Sequence, residues 1–299
     1  MIHILAAGTH ATVQDRGRYG YLRLGMPPSG PADPFAFAAA QALVGNDLAA
    51  AGLEIVGAPF TFACDDRRIV AVTGRDVSLR ANHRIAGWTA AFVRAGEEVT
   101  VIIGDRTRFA YLAVSGGLDT APVLGSRAAS LRAGIGAPVR QGDSFRLGQA
   151  RIQVERAGLA IAPPRYQDEI VRAITGPHAE RFPEEAEQLF FSATFVVDTQ
   201  SDRMATRLAG PSLRASAGEI LTCGVVAGAA QVPPGGAPIV LLAEHQTTGG
   251  YPIIATVIAA DQGRLAQRLP GESVRFARFD RDRAVDELRR SRAALAAMA

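Results

Sequence analysis

Ala95-Gly96-Glu97-Glu98-Val99-Thr100-Val101-Ile102-Ile103 is the stretch that decides the fold. A glycine able to take positive φ is followed by acidic residues, then by a strand-length run rich in β-branched side chains. The pattern predicts a tight turn feeding a strand over 98–103. The same punctuation recurs at Gly142-Asp143 before Phe145, at Gly218-Glu219 before Ile220, and at Gly271-Glu272 before Val274. Turns of this kind, repeated along the chain, favour an antiparallel barrel or sandwich over βαβ units. Apolar or alternating runs predict further strands over 69–73, 109–114, 194–198 and 238–243.

Helices are expected to be few. Asp33-Pro34 resembles an N-cap with proline at the first helical position, and Gly45-Asn46 suits the stop. Short helices are predicted over 183–191 and 261–269. The tail 281–299 is predicted to be a helix with Val285, Leu288 and Leu295 on one stripe. Its arginines (Arg281, Arg283, Arg289, Arg290 and Arg292) are read as a solvated face or as a contact with an acidic partner subunit.

With 299 residues, 48% of them hydrophobic, the chain can bury two cores, and two subdomains are expected. Ala160-Ile161-Ala162-Pro163-Pro164 reads as the linker. The expected division is 1–160, 161–280 and a C-terminal helix over 281–299. The net charge of +3 comes from arginines spread along the chain, so no nucleic-acid footprint is expected. Met1-Ile2-His3-Ile4-Leu5 lacks the charged start and apolar run of a signal peptide. No apolar stretch of about 18 residues exists, so no membrane span is expected and the cytoplasm is the expected location. Cys64 and Cys223 have neither CxxC spacing nor a nearby histidine set. Neither a metal site nor a disulfide is expected, and both read as small buried residues.

Common catalytic motifs are missing. The sequence has no GxxxxGK[ST] phosphate loop, no HExxH, no GxSxG elbow and no biotin-attachment motif. Four polar segments stand out instead. Thr12-Val13-Gln14-Asp15-Arg16-Gly17-Arg18-Tyr19-Gly20-Tyr21 places an acid, two arginines and two tyrosines among glycines. Its planar guanidinium forks suit a carboxylate or phosphate, or else Asp15 and Arg16 brace a turn. Gly25-Met26-Pro27-Pro28-Ser29-Gly30-Pro31-Ala32-Asp33 is a rigid loop entering a helix. Either Ser29 and the free amides bind an anion, or Asp33 caps the helix. Ser115-Gly116-Gly117, with Ser126-Arg127 downstream, reads as a close approach of backbone to a ligand or to another strand. Glu244-His245-Gln246-Thr247-Thr248-Gly249-Gly250-Tyr251-Pro252 puts an unusually polar group after the apolar run 238–243. His245 has an unperturbed pKa near neutrality and could transfer protons, or it is a satisfied structural residue.

Taken together, these segments resemble the KipA-like family that includes the C subunit of 5-oxoprolinase, also described as allophanate hydrolase subunit 2 or biotin-dependent carboxyltransferase. One block is Thr12-Val13-Gln14-Asp15-Arg16-Gly17-Arg18 through Pro28-Ser29-Gly30. A second is Tyr111 through Asp119 with Leu124-Gly125-Ser126-Arg127. A third is Ser201-Asp202-Arg203-Met204 with Arg207-Leu208 and Gly210-Pro211. The fourth comprises Gln231-Val232-Pro233, the run 238–243 and Gln246 through Pro252. They occur in order and span nearly the whole chain.

The resemblance implies a mainly β protein of cyclophilin-like β-barrel architecture, with the barrel in the C-terminal subdomain. It implies a KipI-like B subunit and an A subunit as partners, with 5-oxoproline opened to glutamate at the expense of ATP. Carboxyl transfer from carboxybiotin to urea or a related amide is the alternative enzyme reading, and only that reading requires biotin. A non-catalytic KipA-like regulator is the third. Under the enzyme reading, Asp15 and His245 are the candidate catalytic residues. Arg16, Ser29, Asp33, Ser126, Arg127, Gln246, Thr247 and Tyr251 are the candidate substrate-binding residues. The family pattern reads Asp-Arg where this chain has Glu244-His245, and Lys where it has Ile253. A protonated His245 is expected to replace part of the missing positive charge.

Overall fold

The computed structural model describes residues 1–57, 59–150, 153–216 and 220–299, so the turn expected at Gly218-Glu219 lies outside the described residues. The chain divides into two compact units. The first comprises Met1–Arg18, Ser29–Pro164 and Arg292–Ala299, and the second Tyr19–Pro28 and Arg165–Ser291.

The first unit opens with β1 (Ile2–Ala7), β2 (His10–Gln14), helix α1 (Pro34–Leu43), β3 (Gly52–Val56), β4 (Phe60–Cys64) and β5 (Arg68–Gly74). It continues through β6 (Val77–Arg80), β7 (Arg84–Ala86), β8 (Ala90–Val93), β9 (Val99–Ile103), β10 (Ala110–Val114) and β11 (Ser144–Phe145). These strands form a six-stranded sheet, β11-β1-β4-β9-β6-β7, and a five-stranded sheet, β2-β3-β10-β5-β8. Ile4, Leu53, Phe60, Phe62, Val72, Val101 and Leu112 belong to one apolar core.

Strands β5 and β10 are buried along their full length, which explains their unbroken apolar runs. One face meets the core, and the other lies under α1, whose Ala36 carbonyl accepts from Thr73 Oγ1 at 2.7 Å. That helix starts as its sequence requires. Asp33 accepts from the Ala36 amide at 3.1 Å, and Pro34 loses no bond at the first helical position.

The second unit contains β12 (Ile170–Thr175), helix α2 (Glu184–Ser192), β13 (Thr194–Val197), β14 (Ala205–Ala209), β15 (Cys223–Gly224) and β16 (Ala229–Gln231). After these come β17 (Ile239–Leu241), β18 (Thr248–Gly249), β19 (Ile253–Val257), helix α3 (Ala259–Ala266) and β20 (Ser273–Arg278). Seven strands close into a barrel, β12-β19-β16-β17-β14-β13-β20. The closing pair, β12 and β20, is parallel, with Ile170 opposite Arg275. Barrel residues Phe195 and Phe276 share a core with Phe190 of α2, and Phe190 stacks on Phe276 with ring centroids 4.4 Å apart. A second apolar cluster (Ala205, Val225, Ala229, Leu241 and Ile253) lies beside the small β15–β18 ribbon.

One helix expectation needs correction. The helix expected over 261–269 runs over Ala259–Ala266 instead. Asp261 is buried in its first turn, accepting from Arg172, so a long-range ion pair fixes the start. Helix α4 (Arg281–Ala296) forms as expected, but its stripe is not buried throughout. Leu295 is buried, whereas Val285 is 40% exposed. Near its start the helix is tied down by Glu287, which pairs with Arg172 at 2.7 Å, in place of an apolar face. Among the described residues, no helix is long and apolar enough to cross a membrane.

Candidate functional site

Asp15 follows the end of β2, and its buried carboxylate reaches a loop more than 100 residues away. Oδ1 accepts from Ser126 Oγ at 2.6 Å and from the Gly17 amide at 2.9 Å, while Oδ2 accepts from the Arg127 amide at 2.5 Å. Arg18, only 1% exposed, grips the same loop from its other side. Its guanidinium donates to the carbonyls of Val123 at 2.9 Å and Ala128 at 2.8 Å. Ser29 Oγ donates to the Ala129 carbonyl at 2.6 Å, which also accepts from Gln14 Nε2 at 3.3 Å. Segments 14–18 and 29 therefore hold loop 123–129 by its own polar groups, and the turn at Leu124-Gly125 adopts positive φ.

This geometry separates the expected residues by role. Asp15 spends both oxygens on the loop, which is a positioning arrangement. Ser126 is buried as one of its donors, and Ser29 is committed to Ala129. Asp33 caps α1, and its amide donates to the Tyr111 hydroxyl at 2.7 Å. The Arg16 side chain is exposed, while Arg127 is half-buried and its Nη2 is paired with Asp119 at 3.0 Å. The sequence does not single out Arg18, Glu54 or Tyr111 as site residues. Glu54 is buried and accepts from the Ala32 amide at 2.8 Å. Burial is the missing signal, because Arg16 and Arg18 read alike in the sequence.

The paired glycines meet remote backbone that is not part of a strand. A Cβ on Gly116 would lie 2.3 Å from the Gly148 carbonyl oxygen, and Gly116 has φ +94°. Rigid backbone cannot yield as a side chain would, so Gly116→Ala is expected to destabilise the first unit by about 2–3 kcal/mol. Urea denaturation read by the single tryptophan, Trp88, which lies in this unit, checks the value. An unchanged midpoint would contradict the close approach.

In the second unit, Gln246 is the hub. Its carbonyl faces His245 Nδ1 at 2.6 Å, and its Nε2 donates to Gln231 Oε1 at 3.1 Å. A carbonyl only accepts, so neutral His245 carries its proton on Nδ1 and presents a bare Nε2. Burial pushes the His245 pKa below the ordinary 6.5, partly offset by the bond to Gln246. The ring is therefore neutral near pH 7 and does not supply the charge expected of it, although its Nε2 can accept a proton. The neighbouring Glu244 pairs with Arg203 at 3.2 Å, and Ile253 is buried in the apolar cluster beside the ribbon. Thr247 is half-buried and Tyr251 36% exposed.

The depressed pKa fixes a sign. The unfolded chain takes up the proton more readily, so His245 favours folding above its unfolded pKa of about 6.5, and that contribution falls away as pH drops below it. Stability of the second unit should decline between neutral pH and pH 5.5 less steeply in His245→Gln than in wild type. Equal slopes would show that the ring is not buried in its neutral form.

Elsewhere, burial pushes the Cys64 thiol up to about 12, with Arg68 opposing, so this buried cysteine is not a nucleophile. Among the described residues, no group of three or more His, Cys, Asp or Glu side chains is arranged to hold a metal ion. The expected residues thus divide between the two units. Asp15, Arg16, Ser29, Asp33, Ser126 and Arg127 lie in the first unit, and His245, Gln246, Thr247 and Tyr251 in the second.

The two-sheet unit, the closed barrel and these polar loops agree with one family: residues 24–278 fit the model of the carboxyltransferase domain, subdomains A and B. The chain belongs to the carboxyltransferase-domain family. More particularly, it is 35% identical to the C subunit of 5-oxoprolinase from Escherichia coli K12, over 92% of this chain and 90% of that protein. The crystal structure of TTHA0988 aligns with a TM-score of 0.84 and 31% identity, over 92% of this chain. This chain spans 55% of TTHA0988. The K. lactis urea amidolyase structure aligns over the whole chain with a TM-score of 0.87 and 26% identity, but the match covers 20% of that protein.

Proposed function

We propose that this chain is the C subunit of an ATP-dependent 5-oxoprolinase, acting with A and B subunits to open the lactam of 5-oxoproline to L-glutamate. The observation that carries this reading is the near full-length match to the E. coli protein, in which 90% of the relative is covered. ATP is the expected co-substrate of the complex as a whole. A KipI-like B subunit is the expected direct partner, and the cytoplasm, where ATP is available, is the expected location.

An unstrained lactam is a poor electrophile. Opening it requires a held substrate, a polarised carbonyl and a group to move protons. By itself, the first unit offers Arg16 and Arg127 as cations for a carboxylate, with Asp15, Ser126 and Arg18 fixing the loop that carries Arg127. By itself, the second unit offers Gln246, Thr247 and Tyr251 as polar groups and His245 Nε2 as a proton acceptor.

Reconstitution tests the reading. The chain mixed with A and B subunits should show 5-oxoproline-dependent ATP hydrolysis that disappears when the chain is omitted. The reading fails if this chain gives no turnover where its E. coli relative does. The full-length fit to urea amidolyase favours carboxyl transfer as the second reading. That activity would instead require a biotin carboxylase and a biotinylated carrier, and would show as carboxylation of urea or a related amide.

A further inference from the structure

Four polar side chains stand in one line across the five-stranded sheet. Thr12 lies opposite Glu54, Glu54 opposite Tyr111, and Tyr111 opposite Thr73. Residues directly opposite in an antiparallel pair share a face, and all four are buried. A polar row inside an apolar sheet carries a desolvation cost unless its groups are bonded. Three members bond points along the segment that enters α1. Glu54 Oε2 accepts from the Ala32 amide at 2.8 Å, and the Tyr111 hydroxyl accepts from the Asp33 amide at 2.7 Å. Thr73 Oγ1 donates to the Ala36 carbonyl at 2.7 Å. A backbone amide only donates, so the direction of the first two bonds is fixed. Just before this segment, Ser29 has φ +57°, a left-handed conformation that is costly for a residue with a Cβ. Such a residue persists where its surroundings hold it. Ser29 is held on one side by the Ala129 carbonyl, which accepts from its Oγ at 2.6 Å. On the other side, the chain is pinned three residues later by Glu54.

We propose that Glu54 is a positioning residue: by holding the Ala32 amide it keeps Ser29 in place, and through Ser29 it sets loop 123–129 and its Arg127 for the carboxylate of a ligand. Glu54 is 3% exposed and acts only through the chain above it. That the ligand is 5-oxoproline rests on the 5-oxoprolinase reading; the path from Glu54 to loop 123–129 does not.

The test compares Glu54→Ala and Glu54→Gln in the full-length chain. Amide hydrogen exchange needs no partner subunit. Glu54→Ala should speed exchange of the Arg127 and Ala128 amides about 10-fold and leave those of β4 and β9 unchanged. Exchange that quickens at Ala32 alone, or evenly over the whole unit, overturns the proposal. In the reconstituted complex, Glu54→Ala should raise KM for 5-oxoproline about 10-fold with a smaller change in kcat. Glu54→Gln keeps an acceptor for the Ala32 amide and should raise KM only about 3-fold. A purely structural role would lower kcat with the amount of folded chain and leave KM unchanged, and that result removes the proposal while the enzyme reading stands. If Glu54→Ala does not fold, Tyr111→Phe takes the acceptor from the neighbouring Asp33 amide and should give the same faster exchange and higher KM; neither change overturns the proposal. A wild-type complex without lactam-dependent ATP hydrolysis, with exchange at Arg127 still answering to Glu54, removes the enzyme reading and supports the positioning role.

Discussion

Asp15→Ala is expected to cost the first unit about 3 kcal/mol, because three hydrogen bonds to one carboxylate are lost together. One of the stranded donors, Ser126 Oγ, is buried, and another, the Arg127 amide, is partly so. Asp15→Asn keeps the shape but turns one acceptor into a donor, so about 2 kcal/mol is expected there. Trp88 fluorescence in urea measures both values. A double-mutant cycle with Ser126→Ala separates the shared bond from the rest, and a coupling near zero would show that the 2.6 Å contact is not a stabilising hydrogen bond. Amide exchange across 123–128 adds a local readout, since Asp15→Ala should release that loop before the sheets unfold. Function should follow structure here. If the loop carries Arg127 to the substrate, the variant raises KM for 5-oxoproline in the reconstituted complex more than it lowers kcat.

Asp261→Ala is the second large effect, and it falls on the barrel. Asp261 is 1% exposed and accepts from the Arg172 amide at 2.8 Å, Arg172 Nε at 2.9 Å and Arg172 Nη2 at 2.8 Å. Arg264 approaches it at 3.5 Å, and Glu287 holds the remaining end of Arg172. Asp261 and Glu287 push the Arg172 pKa upward against the cost of its burial, so the guanidinium is held charged. Removing one partner of a buried pair leaves an uncompensated charge. Arg172 is 27% exposed, and the water reaching it limits the loss to about 3 kcal/mol. Hydrogen exchange along β12 and chemical denaturation both measure it. Asp261→Leu combined with Arg172→Met should recover much of the loss, because no charge is then stranded. A double variant as unstable as Asp261→Ala would show that the pair does more than neutralise its own burial.

Much of the local structure was legible in the sequence. The turn at Gly96 has φ +72° and feeds β9, and the same holds at Gly142 before β11 and Gly271 before β20. Asp33-Pro34 starts α1 because a cap and a proline act within one helical turn. The family blocks also pointed to the loops on which the polar clusters stand. The helix at 259–266 was less legible, because its start depends on Arg172, distant in the chain. The choice between Arg16 and Arg18 was not legible either.

By itself, the sequence determined what local rules can specify: where glycine permits a turn, where alternating or apolar runs make strands, and which order of motifs places the chain in its family. Only the tertiary structure decided which polar groups meet. Asp15 meets Ser126, Gln231 meets Gln246, and β12 lies beside β20 through contacts between residues far apart in the chain. The physical reason is that turn and strand preferences act over a few neighbouring residues. Burial of a charge, or the partner of an amide, depends on how the whole backbone closes on itself.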